Sequence, residues 1–150
     1  MPVRVVRRAD PSAVGEILAS VPEWFGIPEA NAHYVADAAR LPSYLAVDGD
    51  DVVGVALLAE HLPESRELHL LAVRRDRHRQ GIGRALVDAV VSDLRAAAVR
   101  LLEVHTVGPS HEDDGYALTR EFYLALGFVP LTELHGIDWN GPTLILVRPL

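Results

Sequence analysis

The spacing of apolar residues changes between strand-like and helix-like along the chain, and it predicts a mixed α/β fold built around one sheet. The predicted strands span Val3–Val6, Tyr44–Val47, Val52–Ala59, Glu67–Val73, Arg100–Val107, Val129–His135 and Thr143–Val147. The predicted helices cover residues 11–20, a segment ending near Arg40, a segment beginning near Gly81, and Thr119–Leu126. A polar loop is predicted over Gly108–Tyr116.

Local signals support these element boundaries. Asp10 followed by Pro11 has the form of an N-cap with proline at the first helical position. The Asp-Gly pair at residues 48–49 lies between two apolar strands and predicts a hairpin. Gly127 suits the end of the last helix because glycine adopts the left-handed conformation without strain. With no internal repeat, the elements are expected to form one domain over residues 1–150.

Composition narrows the classes of function. The 150 residues are 49% hydrophobic and 23% charged, which is enough for one core, and no apolar run is long enough to span a bilayer. The absence of cysteine excludes disulfides and thiolate catalysis. The formal net charge of -7 argues against nucleic-acid binding. Arginines stand near the N-terminus where a signal peptide needs apolar residues, so a cytoplasmic location is expected.

One segment is rich in positive charge, although the chain as a whole is acidic. Five arginines fall close together beside a pair of glycines, namely Arg74, Arg75, Arg77, Arg79 and Arg84. Gly81 and Gly83 lie between a buried strand and an amphipathic helix, where free N–H groups and the helix dipole favour an anion. The run lacks the third glycine of a dinucleotide fingerprint and the lysine of a phosphate-binding loop. A solvated loop and a nucleotide-binding domain are the alternatives.

Two motifs together resemble a known family. The segments LLAVRRDRHRQGIGRALV and TREFYLALGF are similar to the acetyl-CoA-binding core of the GNAT N-acetyltransferases. The order of elements resembles that family over nearly the whole chain, and the motifs do so over about residues 67–127. The resemblance implies a central, mostly antiparallel twisted sheet of about seven strands. It also implies that strands four and five are parallel and splayed, and that four helices flank the sheet.

The resemblance implies acetyl-CoA as a co-substrate. The residues it assigns to the cofactor are Leu71, Ala72 and Val73 at the pantetheine arm, and His78, Arg79, Gln80, Gly81, Ile82, Gly83 and Arg84 at the pyrophosphate. His78 stands where the family usually has glutamine or arginine, so its side-chain contact is left open. The family holds the pyrophosphate mainly by main-chain N–H groups, which the resemblance assigns here to Arg79 through Arg84. Tyr116 stands where many members carry an asparagine that contacts the cofactor, so that contact is not carried over.

Acetyl transfer to an amine needs a neutral amine, a stabilised oxyanion and a proton for the leaving thiolate. The resemblance assigns the general base to Glu67, acting through a water, and the general acid to Tyr123. It assigns the oxyanion contact to the backbone N–H of Leu71, at a bulge in the fourth strand. The alternatives are that Glu67 is only the polar first residue of a strand and that Tyr123 is only a core aromatic. Phe122 and Phe128 resemble packing residues.

Histidines accompany acids on two strands. Glu67 and His69 share one strand face, as do Glu103 and His105, because side chains alternate along a strand. If the strands are neighbours, these four groups can surround a metal, but they are better suited to lining a polar cleft, and no metal is expected. His105 or His111 is an alternative or assisting base.

The sequence therefore predicts an acetyl-CoA-dependent N-acetyltransferase that acts directly on a primary amine of a small molecule or peptide. Trp24, Phe25 and Trp139 are expected near the acceptor, and the acidic balance favours cationic amines. A non-catalytic acyl-CoA-binding module is the alternative. No nucleic-acid or membrane partner is expected. The acceptor, the acyl chain length and the formation of a homodimer are left open.

Overall fold

The computed structural model describes residues 2–150 and contains a seven-stranded sheet flanked by four α-helices. The strands are β1 (Arg4–Arg7), β2 (Ser43–Asp48), β3 (Asp51–Leu62), β4 (Ser65–Val73), β5 (Leu101–Val107), β6 (Val129–His135) and β7 (Pro142–Pro149). The helices are α1 (Pro11–Ala19), α2 (Pro28–Ala38), α3 (Ile82–Ala96) and α4 (Asp114–Ala125), with a short 3₁₀ helix at Arg75–Arg77. Among these helices, none is long and apolar enough to cross a membrane.

The strand order is β1-β2-β3-β4-β5-β7-β6. All neighbouring pairs are antiparallel except β4 and β5, whose crossover is α3. The β4–β5 ladder joins residues 65–68 to residues 101–104 and goes no further. The two strands therefore separate beyond Leu68. This architecture confirms the mostly antiparallel sheet that is parallel and splayed at strands four and five.

Both faces of the sheet are covered. On one face, α3 and α4 bury an apolar core that includes Leu86 and Leu102. On the other face, α1 and α2 bury a core that includes Ile17 and Leu45. Each such side chain contributes roughly 1.5–3 kcal/mol when fully buried. The two cores hold the sheet rigidly, so residues at the split between β4 and β5 stand on a fixed frame.

A β-bulge interrupts β4 just where it leaves β5. Leu68 pairs with Leu58 of β3 and Leu70 pairs with Leu57, so His69 is an extra residue without a partner of its own. Because of this extra residue, Leu68 packs into the α3/α4 core whereas Leu70 packs into the α1/α2 core. The bulge thus changes which side chains of β4 face each layer.

The helix starts follow from local caps. Asp10 caps α1 as predicted, through a side-chain hydrogen bond within the first turn. The prediction that the last helix begins at Thr119 is wrong, because α4 begins at Asp114. The Asp113 side chain accepts a hydrogen bond from the Tyr116 N–H at 3.1 Å and so starts the helix earlier. The predicted polar loop is correspondingly shorter.

Candidate active site

The loop between β4 and α3 has the backbone geometry of an anion site. Arg79 and Gly81 both adopt the left-handed conformation, with φ of 62° and 77°. A Cβ on Gly81 would meet no atom within 4 Å, so the space beside it is open. The first backbone bond of α3 runs from the Ala85 N–H to the Gly81 carbonyl at 3.0 Å, which leaves the earlier N–H groups of the first turn without helical partners. These groups favour phosphate oxygens.

The two glycines of this loop serve different purposes. Gly81 supplies the positive φ, which costs glycine little. Gly83 lies inside α3, where a Cβ would come within 3.1 Å of the Phe122 ring. Its missing side chain therefore lets α3 approach α4 closely. One glycine shapes the loop and the other sets the distance between the two helices beside it.

Three of the five clustered arginines are already paired within the protein. The pairs are Arg74 with Asp76, Arg75 with Glu23, and Arg77 with Asp48. Arg79 and Arg84 are exposed and have no acidic partner among residues 2–150. These two side chains are therefore the ones free to meet a phosphate, while Arg75 and Arg77 link the loop to Glu23 and Asp48 in other parts of the chain.

His78 is occupied by protein contacts. Its Nε2 lies 2.7 Å from the Val73 carbonyl oxygen, and its ring meets the Trp24 ring edge-on with centroids 6.0 Å apart. The side chain thus ties the loop back to the end of β4 and to the segment between α1 and α2. The anion contact that the sequence left in doubt at this position gains no support.

The residues expected to bind the cofactor arm lie where β4 has left β5. Leu71 and Val73 are partly buried toward the α3/α4 layer, whereas Ala72 is buried on the opposite face. Because the parallel ladder ends at Leu68, the backbone beyond it has no strand on its β5 side within the described chain. Unpaired backbone groups at such an edge can pair with an extended ligand arm. The bulge expected at Leu71 lies two residues earlier, with His69 as its extra residue, and Leu71 itself pairs with Ala56 of β3.

Tyr123 lies on the inner face of α4. It is buried, and its ring meets Phe122 and Phe128 edge-on with centroids 5.2 and 5.3 Å apart. Within residues 2–150, Tyr44 and Tyr116 donate hydroxyl hydrogen bonds to protein groups but Tyr123 does not. Burial raises the pKa of the Tyr123 phenol above its usual range, so the group stays protonated.

Acidic and imidazole side chains alternate in a row that runs from β3 across β4 to α2, and Glu67 belongs to this row. The His61 Nε2 lies 2.6 Å from Glu67 Oε1, and the His69 Nδ1 lies 3.8 Å from Glu67 Oε2. On its other side, the His69 Nε2 lies 2.8 Å from Asp37 Oδ2 on α2. The Glu67 side chain is 14% exposed and that of His61 is 59% exposed. The series therefore connects a nearly buried carboxylate with solvent.

This environment keeps Glu67 ionised. The contact with His69 and, after it, that with His61 lower the pKa of the Glu67 carboxyl to about 2, although burial opposes the change. Glu67 and then Asp37 raise the pKa of His69 above its ordinary value, again against burial. A carboxyl with a pKa of about 2 is a weak base, so at neutral pH Glu67 carries a negative charge and does not retain a proton.

A second acid–imidazole group lies on β5. The His105 ring is bonded through Nε2 to Glu103, and its Nδ1 lies 2.8 Å from Asp138 Oδ2 in the β6–β7 loop. Burial opposes protonation, but Asp138 and Glu103 outweigh it and raise the pKa of His105. Glu103 pairs with Glu67 in the β4–β5 ladder. The two groups therefore meet where the strands begin to separate.

This ladder makes the two histidine-bearing strands neighbours, which was the condition for their side chains to meet. One nitrogen or oxygen atom from each of Glu67, Glu103 and His105 lies within 4.8 Å of the others. Both ring nitrogens of His105 are already bonded to carboxylates, however, so neither offers a free lone pair to a metal ion. The group is better suited to lining a polar cleft.

Aromatic side chains border this cleft. The Tyr116 hydroxyl donates to the Trp24 carbonyl oxygen at 3.0 Å and so links α4 to the segment between α1 and α2. The Tyr34 ring lies against His69, with centroids 5.4 Å apart, and against Phe25, with centroids 5.9 Å apart. Tyr116, which stands where many family members carry asparagine, is therefore held by a protein contact.

His111 and Trp139 form a separate contact, with ring centroids 5.3 Å apart. The Trp139 Nε1 donates to the Pro142 carbonyl oxygen at 3.0 Å. Of the two histidines considered as assisting bases, His105 is close enough to Glu67 to lower its pKa, whereas His111 has no contact with it among residues 2–150.

Three members of the cluster of acids and imidazoles around Glu67 and His105 were not predicted from the sequence, namely Asp37, His61 and Asp138. Asp37 follows Tyr34 by one helical turn, so a polar residue on the inner face of α2 was the available signal. His61 meets Glu67 because β3 and β4 extend further toward their hairpin than predicted. Asp138 lies in a loop, where periodicity gives no information.

Comparison with known proteins agrees with this geometry. The sequence model of a family described as acetyltransferase (GNAT) domain matches residues 31–130. No curated protein matches the sequence. A solved structure described as a GNAT-family acetyltransferase from Desulfovibrio desulfuricans is 25% identical, with a TM-score of 0.87 and 99% of both chains covered.

Two further solved structures share the fold. The IAA acetyltransferase from Bacillus cereus is 20% identical, with a TM-score of 0.76 and coverage of 99% of this chain and 100% of that one. An aminoglycoside 6′-N-acetyltransferase complexed with coenzyme A is 18% identical, with a TM-score of 0.74 and 96% of both chains covered. Because the family match takes in two thirds of the sequence and the split sheet agrees with it, the chain belongs to the GNAT family of acetyltransferases.

Proposed function

We propose that this chain is an acetyl-CoA-dependent N-acetyltransferase, working as one domain over residues 1–150, that transfers acetyl directly to a primary amine of a small molecule or peptide. The observation that carries the proposal is the separation of β4 from β5, with the loop before α3 beyond one end of the split and Glu67 at the other. Acetyl-CoA supplies the acetyl group as a thioester. Direct transfer is supported by the absence of a cysteine that could carry the acetyl group.

Two parts of the chain would hold the cofactor. The first-turn N–H groups of α3, together with the side chains of Arg79 and Arg84, would bind the pyrophosphate. The free backbone edge at Leu71–Val73 would pair with the amides of the pantetheine arm. Both sites rest mainly on backbone groups, which the two apolar cores hold in place.

Glu67 would take the proton from the acceptor ammonium through a water molecule. Its carboxylate also attracts the ammonium form of the amine into the cleft. Because a carboxyl with a pKa of about 2 is a weak base, the proton would have to move on to solvent rather than rest on Glu67. His61, 2.6 Å away and 59% exposed, connects Glu67 with solvent.

Leu71 and Tyr123 would act on the other reacting atoms. The Leu71 N–H would donate a hydrogen bond to the carbonyl oxygen, where negative charge develops during attack. The Tyr123 hydroxyl, kept protonated by burial, would donate to the departing sulfur. Phe122 and Phe128 hold its ring in a fixed orientation.

Thermal unfolding and thiol release test this function together. Acetyl-CoA should raise the Tm, by an amount that corresponds to about 2.7 kcal/mol at a hundredfold excess over Kd. Adenosine diphosphate, which lacks the pantetheine arm, should raise it less. Thiol release should then appear with some members of a panel of amines, amino acids and aminoglycosides. No Tm shift at millimolar acetyl-CoA contradicts the proposal, and a shift without thiol release across the panel favours a non-catalytic acyl-CoA-binding module.

A further inference from the structure

Two of the four tyrosines in the chain have a hydroxyl group that the protein does not use. Tyr44 and Tyr116 donate hydroxyl hydrogen bonds to protein groups. Within residues 2–150, Tyr34 of α2 and Tyr123 of α4 have no hydrogen-bond partner for the hydroxyl. Neither hydroxyl is among the fully buried polar atoms that lack a partner, so both remain open to solvent. Both can therefore bond to a ligand.

The Tyr34 ring lies over β4 at the point where β4 leaves β5. Its centroid is 5.4 Å from that of His69, the extra residue of the β4 bulge, and the parallel ladder ends just before this residue, at Leu68. One helical turn further along α2, Asp37 bonds the same imidazole at 2.8 Å. The Phe25 ring meets the Tyr34 ring edge-on, with centroids 5.9 Å apart. These contacts hold the Tyr34 ring at the split, on the α1/α2 side of the sheet.

The groups that act on the Tyr34 hydroxyl belong to the candidate active site. Burial raises the pKa of this phenol most, and the charges of Asp138 and then Glu67 raise it further. The Tyr34 phenol in turn adds to the burial that raises the pKa of Tyr123. The hydroxyl is therefore within electrostatic reach of both the proposed base and the proposed acid, and it keeps its proton.

A primary amine that attacks a thioester has to be held at two N–H groups. In its neutral form it has one lone pair, which must point at the thioester carbon, and two N–H groups that can be bonded. The water molecule that would serve Glu67 can accept one of them. The oxygen of Tyr34 can accept the other, because a phenol oxygen has acceptor lone pairs and this one has no partner within the described chain.

We propose that Tyr34 binds the acceptor, its hydroxyl oxygen accepting a hydrogen bond from one N–H of the attacking amine while the water at Glu67 holds the other, so that primary amines are preferred to secondary ones. The inference rests on the proposed function and adds a specificity-determining residue to the same site. A secondary amine has a single N–H and leaves one of the two acceptors unpaired. A site built to bond an N–H group discriminates against an analogue that lacks it.

Tyr34→Phe tests the inference, because it removes one oxygen and keeps the ring contacts with His69 and Phe25. The probes are methylamine and dimethylamine, the smallest primary and secondary alkyl amines, together with the fastest amine of the panel and its N-methyl derivative. In the wild type, kcat/KM should be about tenfold or more higher for each primary amine than for its secondary partner. In Tyr34→Phe this ratio should fall about fivefold or more, because only the primary amine loses a hydrogen bond.

Two controls accompany this substitution. Acetyl-CoA should raise the Tm of Tyr34→Phe as much as that of the wild type, since the hydroxyl is assigned to the acceptor. Tyr44→Phe removes the same atom from a buried tyrosine on β2, away from the cleft, and should keep the wild-type ratio.

The outcomes separate the inference from the proposed function. An unchanged ratio in Tyr34→Phe overturns the inference and leaves the acetyltransferase function intact. A lost Tm increase with acetyl-CoA in Tyr34→Phe also overturns it, because the hydroxyl then holds the cofactor. An equal fall of the ratio in Tyr34→Phe and Tyr44→Phe overturns it as well. No thiol release with any amine in the wild type, while acetyl-CoA still raises the Tm, contradicts the proposed function and the inference with it.

Discussion

The two ends of the split between β4 and β5 present polar groups of different kinds. At the phosphate-loop end, the donors are backbone N–H groups of α3, and three of the five arginines are paired internally. At the acceptor end, the groups are side chains from α2, β3, β4, β5 and the β6–β7 loop, and each imidazole between acids is shared by two carboxylates. One end depends on chain conformation and the other on the assembly of distant residues.

This difference predicts how each end responds to change. A backbone site is damaged by altering φ and tolerates the loss of a side chain. A side-chain cluster is damaged by single neutral substitutions, because each removes one member of a coupled set. Between the two ends stand the groups that would act on the acetyl group itself.

The largest effect on turnover is expected for Tyr123→Phe, between the two ends. Turnover should fall about a hundredfold, because the proton donor to the leaving sulfur is lost. Stability should change by less than about 0.5 kcal/mol, since the hydroxyl has no protein partner within the described chain and the ring remains. Thiol release and urea unfolding measure the two quantities.

Tyr44→Phe is the matched control for this substitution. Tyr44 is buried on β2 and its hydroxyl donates to Asp93 at 2.8 Å, away from the cleft. Losing that bond should cost about 1 kcal/mol of stability and leave turnover unchanged. If both variants lose turnover equally, the Tyr123 hydroxyl has no chemical role.

The second-largest effect is expected on the Kd for acetyl-CoA, when the backbone of the loop between β4 and α3 is strained. Gly81→Val places a β-branched residue at a φ of 77°, which strains the loop by about 1–3 kcal/mol. The Kd for acetyl-CoA should rise by about tenfold or more. Gly49→Val is the control, since Gly49 has a φ of 59° in the β2–β3 turn and also has open space around its Cβ. It should lose stability without losing affinity, and equal affinity loss in both would contradict the role of the loop.

A smaller effect is expected on the way the free energy of unfolding depends on pH, through the charged side chains at the acceptor end. The pKa values of His69 and His105 are raised above 6.5, so their stabilisation is complete below pH 6.5 and lost as pH rises through the raised values. The pKa of Glu67 is lowered from 4.5 to about 2, so its stabilisation is present above pH 4.5 and lost toward pH 2. The cluster should therefore stabilise the protein most between pH 4.5 and 6.5.

Urea unfolding at about pH 5.5 and about pH 8.5 measures this dependence. His69→Gln should reduce the difference in unfolding free energy between the two conditions by about 1 kcal/mol. His33→Gln is the control, because His33 lies exposed on α2 without an ion-pair partner among residues 2–150. An unchanged difference in His69→Gln contradicts the coupling between His69 and its two acids.

The smallest effect on the Kd for acetyl-CoA is expected when arginine side chains in the loop between β4 and α3 are replaced. Arg79→Asn removes an unpaired positive charge, and asparagine tolerates the left-handed φ of 62° at that position. The Kd for acetyl-CoA should rise about threefold, and more at low salt. Arg75→Gln removes the same charge from an arginine that is already paired with Glu23, so it should have less effect. Equal effects would mean that net charge, rather than position, governs binding.

The strands, the helices and the loop before α3 were predicted from the sequence better than the acceptor site, for physical reasons. Strand and helix periods locate the elements, and the phosphate loop is a local feature whose glycines lie two residues apart. The start of α4 was missed because an acidic run at residues 112–114 offers more than one possible cap.

The acceptor cluster was predicted only in part. Glu67, Glu103 and His105 came together as expected, because alternation on two strands needs only the strand pairing to be right. Asp37 and Asp138 join through tertiary packing, which leaves no local pattern. The bulge at His69 also has no local signal, since no glycine marks it.

The most direct test of the account compares cofactor binding and turnover in the wild type and Glu67→Gln. Acetyl-CoA should raise the Tm of both proteins equally, because the loop and the β4 edge are intact in the variant. Thiol release, matched by the appearance of acetylated amine, should fall about tenfold or more in Glu67→Gln. Equal thiol release by the two proteins would contradict the role of Glu67 as general base.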